Sequence, residues 1–291
     1  MKKVLVIGGK GMLGHKLVQA LSDRFEVWAT LHGPVEDGSR SGIFERALGH
    51  VDVTNIASVE QAVASVKPDV IINAVGVIKQ LPGSDDVVHT LAINSIFPHK
   101  LADVAAKFGS RLILISTDCV FDGKRGNYNE NDTPNALDLY GQSKHFGEVT
   151  SRNCLTLRTS IIGRELSGSH SLVEWFLSNR GKTVKGFVNA IYSGFPTVVF
   201  ADIISSLIAE YVDLTGLYHV SSEPIDKFTL LTLINEAFGA GITLERDEEF
   251  RIDRSLNSAR FRKATGFQPQ SWEEMIERMA EDAKDYKGLR Q

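Results

Sequence analysis

"KKVLVIGGKGMLGHKLVQAL", residues 2–21, opens on a compact apolar run, passes through a glycine-rich turn and continues with an apolar pattern of a different period. Val4 to Ile7 is unbroken, as in a strand buried on both faces, whereas Leu13, Leu17 and Leu21 recur at helical spacing. Between them Gly8, Gly11 and Gly14 spell G-x-x-G-x-x-G. One reading is a tight strand-to-helix turn that needs close packing. The other is a phosphate cradle: backbone N–H groups at a helix N-terminus hold a pyrophosphate, and glycine is required because a side chain would block the approach. The position, straight after the first strand and before the first helix, favours a dinucleotide site that includes Met12 and Leu13.

The same grammar continues. "EVWAT" reads as a strand, "HVDV" as a short strand, "SVEQAVASVK" as a helix and "DVIINAV" as a strand; a long helical stretch covers "TLAINSIFPHKLADVAAKFG". "RLILIST" is the next strand, followed by a loop, a helix over about residues 137–151 and the strand "CLTLRTS". Apolar strands separated by helices imply an α/β fold with a doubly wound parallel sheet covered on both faces. From about Ile161 the rhythm loosens through "GRELSGSH" and "KGFVNAIYSGFPT". Helices then dominate, ending in the capping box of "SWEEMIERMAED". The expected organisation is a main domain over residues 1–160 and a smaller domain over 161–291, with about 198–222 returning to the main core through the strand "GLYHVSS".

Composition narrows the function. The 291 residues are 43% hydrophobic and 23% charged with a net charge of -4, so no basic excess points to nucleic acid or anionic lipid. No run approaches the roughly 18 apolar residues of a membrane span, and the apolar run after Met1 is too short for a signal peptide. Two cysteines, Cys119 and Cys154, make no C-x-x-C motif or disulfide framework, which fits a reducing cytoplasm. The histidines show no ligand spacing, and no metal site is expected. Partners are expected to be a small molecule and a second copy of the chain.

A dinucleotide site ordinarily has a carboxylate about 20 residues past the glycines, for the adenosine ribose. Here the second strand ends "ATLHG", with Thr30 and His32 and no acid before Glu36. Nothing there repels a 2′-phosphate, and Arg40 follows where it can pair with one, so NADP(H) is favoured and NAD(H) is the alternative. Asp52 and Val53, in "VDVTN", are placed at the adenine; a helix N-terminal or turn role suits Asp52 equally well.

Tyr140 and Lys144 in "YGQSK" are four apart and share a helix face. Ketone reduction needs a hydride, a proton for the carbonyl oxygen and a group that orients that oxygen. Tyr140 supplies the proton, helped by the Lys144 ammonium, and the hydroxyl-bearing strand end Ser116-Thr117 offers Thr117 as the orienting group.

With these residues in place, the chain resembles the extended short-chain dehydrogenase/reductases, and within them the dTDP-4-dehydrorhamnose reductase-like sugar-nucleotide reductases. "GGKGMLG", "DVTN", "INAVG", "STDCVFDG", "YGQSK", "LRTS" and "GLYHVSS" carry the resemblance, in that order. It implies a Rossmann domain for NAD(P), a C-terminal domain for a nucleotide-linked sugar, and a Thr117, Tyr140, Lys144 active site in which Lys144 also holds the nicotinamide ribose. It further implies a cofactor path along Asn73, Ala74, Val75 and Gly76. Asn94 matches a family asparagine near the active site, and a buried amide accounts for it equally.

"STDCVFDG" departs from the family pattern. Sugar-nucleotide dehydratases of the superfamily carry Thr-Asp-Glu here, and the 4-keto reductases usually show "STDYVFDG". With Cys119 at that position the glutamate for dehydration is missing, and three readings stand: a pocket reshaped for another sugar, a tolerated substitution, or a nucleophilic thiol. Asp118 is placed for proton transfer or for loop capping. Asp118, Cys119, Asn189, Tyr192 and Arg254 are the expected substrate contacts, and Arg164, Lys182, Lys185 and Arg260 are further candidates for a diphosphate. The expected reaction is reduction of the 4-keto group of a nucleotide-linked 6-deoxy sugar. The alternatives are a sugar-nucleotide epimerase and a non-catalytic NADP-binding regulatory subunit.

Overall fold

The structure is a computed structural model, and it describes residues 1–35, 42–80, 83–151 and 153–286. The strands in chain order are β1 (Lys3–Ile7), β2 (Glu26–Thr30), β3 (Ala47–Leu48), β4 (Val70–Asn73), β5 (Arg111–Thr117), β6 (Cys154–Thr159), β7 (Ile161–Ile162), β8 (Thr183–Tyr192), β9 (Phe195–Pro196), β10 (Gly216–His219), β11 (Ile225–Asp226) and β12 (Thr243–Asp253). Seven of them form one sheet in the order β10-β6-β5-β4-β1-β2-β3. The pairs β1/β2, β1/β4, β2/β3 and β4/β5 are all parallel. The fold class expected from alternating strands and helices is the one found.

The chain divides into two compact units. The first comprises residues 1–117, 137–157 and 201–217; the second comprises 118–136, 158–200 and 218–291. The two units are interleaved along the chain, with residues 201–217 returning to the first. In the first unit Val4, Leu5, Val6 and Ile7 are all wholly buried, so β1 is covered on both faces. Leu5, Ile7 and Ile71 pack with Val59 and Val63 of the helix Ile56–Val66 and with Phe97 and Leu101 of the helix Phe97–Phe108.

Residues 118–136 join the second unit through Tyr128. Its ring stacks on Phe121 at 4.1 Å between centroids, and its backbone bridges Leu256. Gly123, at φ 78, accepts from the Asp253 N–H at 2.7 Å, and a Cβ there would lie 2.4 Å from Ile252 Cγ1. The Phe121 and Gly123 of "STDCVFDG" thus build the second unit. Buried Arg158 donates to His219 Nε2 at 3.1 Å, which leaves His219 Nδ1–H to donate to Tyr128 O at 2.9 Å. The second unit also holds the three-stranded sheet β11-β8-β12.

Local details differ from expectation. The short strand is Ala47–Leu48 and not "HVDV", because His50 takes a left-handed φ of 57 and Asp52 folds back on the Thr54 N–H at 2.8 Å. The long helical stretch is broken: the helix Val87–Leu91 leads into a π-helical turn over Ala92–Ile96 before the helix Phe97–Phe108. Pro98 has no N–H to return to Asn94 O, so the ladder widens just ahead of it. The next helix ends at Phe146 and not near residue 151, capped by Gly147, where a Cβ would lie 1.9 Å from Asn94 O. β8 and β12 fall in segments with no strand expectation.

Candidate active site

The glycine turn is built as its spacing requires. Gly8 has a φ of 89, and a Cβ on Gly14 would lie 2.1 Å from Gly8 O, so the fold itself demands these two glycines. Gly11 differs. A Cβ there would meet only Gly8 O at 3.5 Å and Ala74 O at 3.8 Å, ordinary contacts, so the packing around the turn does not itself require a glycine there. Gly11 is also the N-cap of the helix Met12–Leu21, and no side chain caps the helix there. His15 is buried against Gly11 O at 2.8 Å, and burial pushes its pKa down to about 4, which keeps the imidazole neutral beneath the turn.

Around the turn, several expected cofactor residues act on the protein itself. Buried Thr30 accepts from the Gly8 N–H at 3.2 Å and so supports the cradle. His32 follows it at the surface, and Arg40 lies outside the described residues. Asp52 accepts from the N–H and the hydroxyl of Thr54, both at 2.8 Å, and these hydrogen bonds hold its carboxyl below the usual range. Val53 packs against the main core. Asn73 Oδ1 accepts from the Val75 N–H at 3.1 Å, fixing the Asn73-Ala74-Val75-Gly76 strand end beside the glycine turn. Val75 is the residue a Cβ on Gly8 would strike.

Asn94, in the π turn, is fully used. Its Oδ1 accepts from the Val77 N–H at 2.9 Å, and its Nδ2 donates to Val77 O at 2.9 Å and to Ser143 Oγ at 3.1 Å. It is a buried clamp that ties Gly76-Val77 to the helix Leu139–Phe146, so its side-chain amide is spent inside the protein.

That helix carries Tyr140 and Lys144. Asp138 caps it through the Gly141 N–H at 3.0 Å. Lys144 Nζ donates to Ile115 O at 2.7 Å, which draws it to the C-terminal end of β5, two residues before Thr117. Burial pushes the Lys144 pKa down to about 8, and the Glu148 charge partly opposes this. Glu148 in turn accepts from Ser116 Oγ at 2.7 Å, so Ser116 positions a charge next to Lys144. Lys79, not foreseen from the sequence, pairs with Asp138 at 2.9 Å and stands 5.6 Å from the Tyr140 ring centroid. No spacing rule links residues 79 and 140; only the fold joins them. Thr117, Tyr140 and Lys144 thus belong to one unit, with Gly76 3.9 Å from Lys144 Nζ by its absent Cβ.

The expected substrate residues lie in the second unit and divide. Asp118, Cys119, Tyr192 and Arg254 come together: Arg254 Nη1 reaches Cys119 Sγ at 3.9 Å, and the Asp118 charge helps hold the buried Tyr192 phenol above its usual pKa, after burial itself. Asn189 stands apart, three residues from Tyr192 on β8 and hence on its other face, donating to Glu248 O at 2.9 Å. Three of the four further candidates for a diphosphate, all but Lys182, are also engaged elsewhere. Arg164 pairs with buried Glu174, Lys185 pairs with Asp247 at 3.1 Å, and Arg260 lies over the Tyr218 ring at 4.7 Å.

Comparison with known proteins fits this arrangement. The sequence profile of the RmlD substrate binding domain matches residues 1–284. A dTDP-4-dehydrorhamnose reductase of Aggregatibacter actinomycetemcomitans is 27% identical over 95% of this chain and 97% of its own length. The methionine adenosyltransferase 2 subunit beta of Danio rerio is 36% identical, over 50% of this chain and 42% of its own. The crystal structure of a dTDP-4-dehydrorhamnose reductase from Bacillus anthracis in complex with NADP superposes with a TM-score of 0.80 at 24% identity, covering 97% of this chain and 99% of that one. A profile that spans nearly the whole chain settles kinship: the chain belongs to the RmlD substrate binding domain family, among the dTDP-4-dehydrorhamnose reductase-like extended short-chain dehydrogenase/reductases.

Proposed function

We propose that the chain is a cytoplasmic, NADPH-preferring reductase of the 4-keto group of a nucleotide-linked 6-deoxy sugar, serving deoxysugar synthesis for surface polysaccharide. The observation that carries this reading is Lys144, drawn to the end of β5 by Ile115 O on the helix face it shares with Tyr140. The cofactor fits the residues present: Gly11 is small where the protein has room for a Cβ, and the helix behind it has no side-chain cap. NADP(H) over NAD(H) is supported by the NADP in the related Bacillus anthracis structure and by the lack of any acid in residues 31–35 after β2. The first unit, with most of residues 1–160, holds the cofactor, and the second takes the sugar nucleotide.

NADPH supplies the hydride when bound. Tyr140 gives its phenolic proton to the carbonyl oxygen, and the Thr117 hydroxyl orients that oxygen by donating a hydrogen bond. Lys144 keeps its charge close to Tyr140, favours the phenolate left behind and holds the nicotinamide ribose. Its low pKa lets it return a proton to Tyr140 near neutral pH. Gly8, Gly11 and Gly14 bind the pyrophosphate through backbone N–H groups.

A homodimer completes the proposal. Val87, Val88, Ile96, Leu137 and Phe146 are exposed apolar side chains on or beside consecutive helices of the first unit, and a second copy of this face would cover them.

Substituting Tyr140 by Phe tests the assignment. Turnover of NADPH with a dTDP-linked 4-keto sugar should fall by about 10²–10⁴-fold while NADPH binding, read by fluorescence, is kept. Unchanged turnover refutes it. The match to the methionine adenosyltransferase subunit favours a second reading, a non-catalytic NADP-binding partner. That reading requires no NADPH oxidation against any of a panel of dTDP-, UDP- and GDP-linked keto sugars, whereas an epimerase would convert its sugar without net NADPH consumption.

A further inference from the structure

Three chain segments converge at one end of the β11-β8-β12 sheet. β8 and β12 run parallel with Asp253 opposite Ile191, so Tyr192 and Arg254 follow at the same end. β11 pairs antiparallel there, with Ile225 opposite Tyr192, and delivers Lys227 with its Nζ 5.6 Å from the Tyr192 ring centroid. Arg254 Nε donates to Phe121 O at 2.8 Å, which leaves one Nη beside Cys119 Sγ at 3.9 Å.

The fold leaves much of this donor capacity unused. Among the described residues the Lys227 ammonium has no hydrogen-bond acceptor and no ion-pair partner, although Asp118 is near enough to be felt. Lys227 is also the first residue of the helix Lys227–Ala237, where the helix dipole disfavours a cation. Burial lowers its pKa, with Arg254 adding to that and Asp118 and Cys119 opposing it. The Tyr192 hydroxyl, on a residue 5% exposed, lies near Ser160 without completing a hydrogen bond. Burial keeps that phenol protonated, hence a donor. Two cations stand against the single Asp118 carboxylate, so the cluster keeps an excess positive charge and open N–H and O–H groups. Such groups are costly to bury unless an anionic oxygen group meets them.

We propose that Lys227, Arg254 and Tyr192 form an anion-binding subsite beside Cys119 that grips an anionic oxygen group of the substrate, either a carboxylate on the sugar ring or a phosphate of the diphosphate. The identity of the substrate rests on the reductase reading; the subsite itself does not. Cys119 is two residues from Thr117 along the chain, at most about 7 Å of backbone. The Cys119 thiol is only partly buried and gives the subsite a reporter.

The test labels the full chain with iodoacetamide and follows Cys119 by mass spectrometry, with and without inorganic pyrophosphate or glucuronate at matched ionic strength. Cys154 is buried, which confines fast labelling to Cys119. At least one anion should slow labelling of the native protein. The concentration needed should rise about 10- to 100-fold in Lys227→Met and return in Lys227→Arg. Arg254→Gln should weaken protection likewise, which keeps the test decisive if Lys227→Met does not fold. Protection by pyrophosphate identifies the phosphate as the gripped group, and protection by glucuronate identifies the ring carboxylate. No protection by either anion, or equal protection in native and variant proteins, overturns the subsite. Labelling needs no turnover, so a protein that shows protection but never oxidises NADPH refutes the reductase and leaves the subsite standing.

Discussion

Lys144 sets a pH dependence whose sign follows from burial. Its ammonium is desolvated, so the pKa is down to about 8, and the side chain is charged below that value and neutral above it. The proposed proton transfer needs that charge beside Tyr140, so kcat/KM for reduction should fall as pH rises through about 8. Lys144→Met should lose both the alkaline fall and most of the rate, which a pH profile at saturating NADPH reads directly. The three glycines of the turn separate in the same way. Gly14→Ala drives a Cβ to 2.1 Å from Gly8 O, so it should destabilise the cofactor-free protein by about 1–3 kcal/mol in a urea melt. Gly11→Ala meets nothing closer than 3.5 Å and should melt unchanged yet bind NADPH about tenfold more weakly by fluorescence titration. The glycine spacing is visible in sequence, but the two jobs within it are not, because only coordinates show which missing Cβ the protein itself requires.

Among the elements, those with a short-range signal are legible. β5 is Arg111–Thr117, as the run "RLILIST" indicates, and the capping box at Ser271 and Glu274 forms in both directions. Ser271→Ala should therefore cost about 1 kcal/mol of stability, seen as a lower urea midpoint, with NADPH binding unaffected. β12 gives no such signal: "TLERDEEFRID" is charged and mostly exposed, lacks alternation, and is a strand only because β8 pairs with it across the chain. The π turn is hidden for a different reason. Its apolar pattern is helical, and the break comes from Pro98 meeting the Asn94 carbonyl, with Gly147 packed on the freed oxygen. Tyr140 and Lys144 are legible as a pair because they are one helical turn apart. Lys79 and Lys227 are not, since each reaches its place through contacts distant in sequence.

For the molecule as a whole, interleaving limits what can be separated. Residues 1–160 without the rest lack β10 and the helix segment 201–209, where Ile208 O accepts from Lys2 Nζ at 2.8 Å. That fragment should give no cooperative thermal transition, which circular dichroism on heating checks. Self-association is tested on the exposed apolar face: Phe146, 59% exposed, changed to Asp should shift a dimer toward monomer in light scattering, since a buried unpaired carboxylate is strongly unfavourable. The same interleaving bears on birth at the ribosome. β10, the outer neighbour of β6, is not made until roughly 60 residues after β6, about 3–12 s at ordinary translation speeds. Through that interval β6 is an open edge on a growing sheet, the kind of surface on which nascent chains stick together.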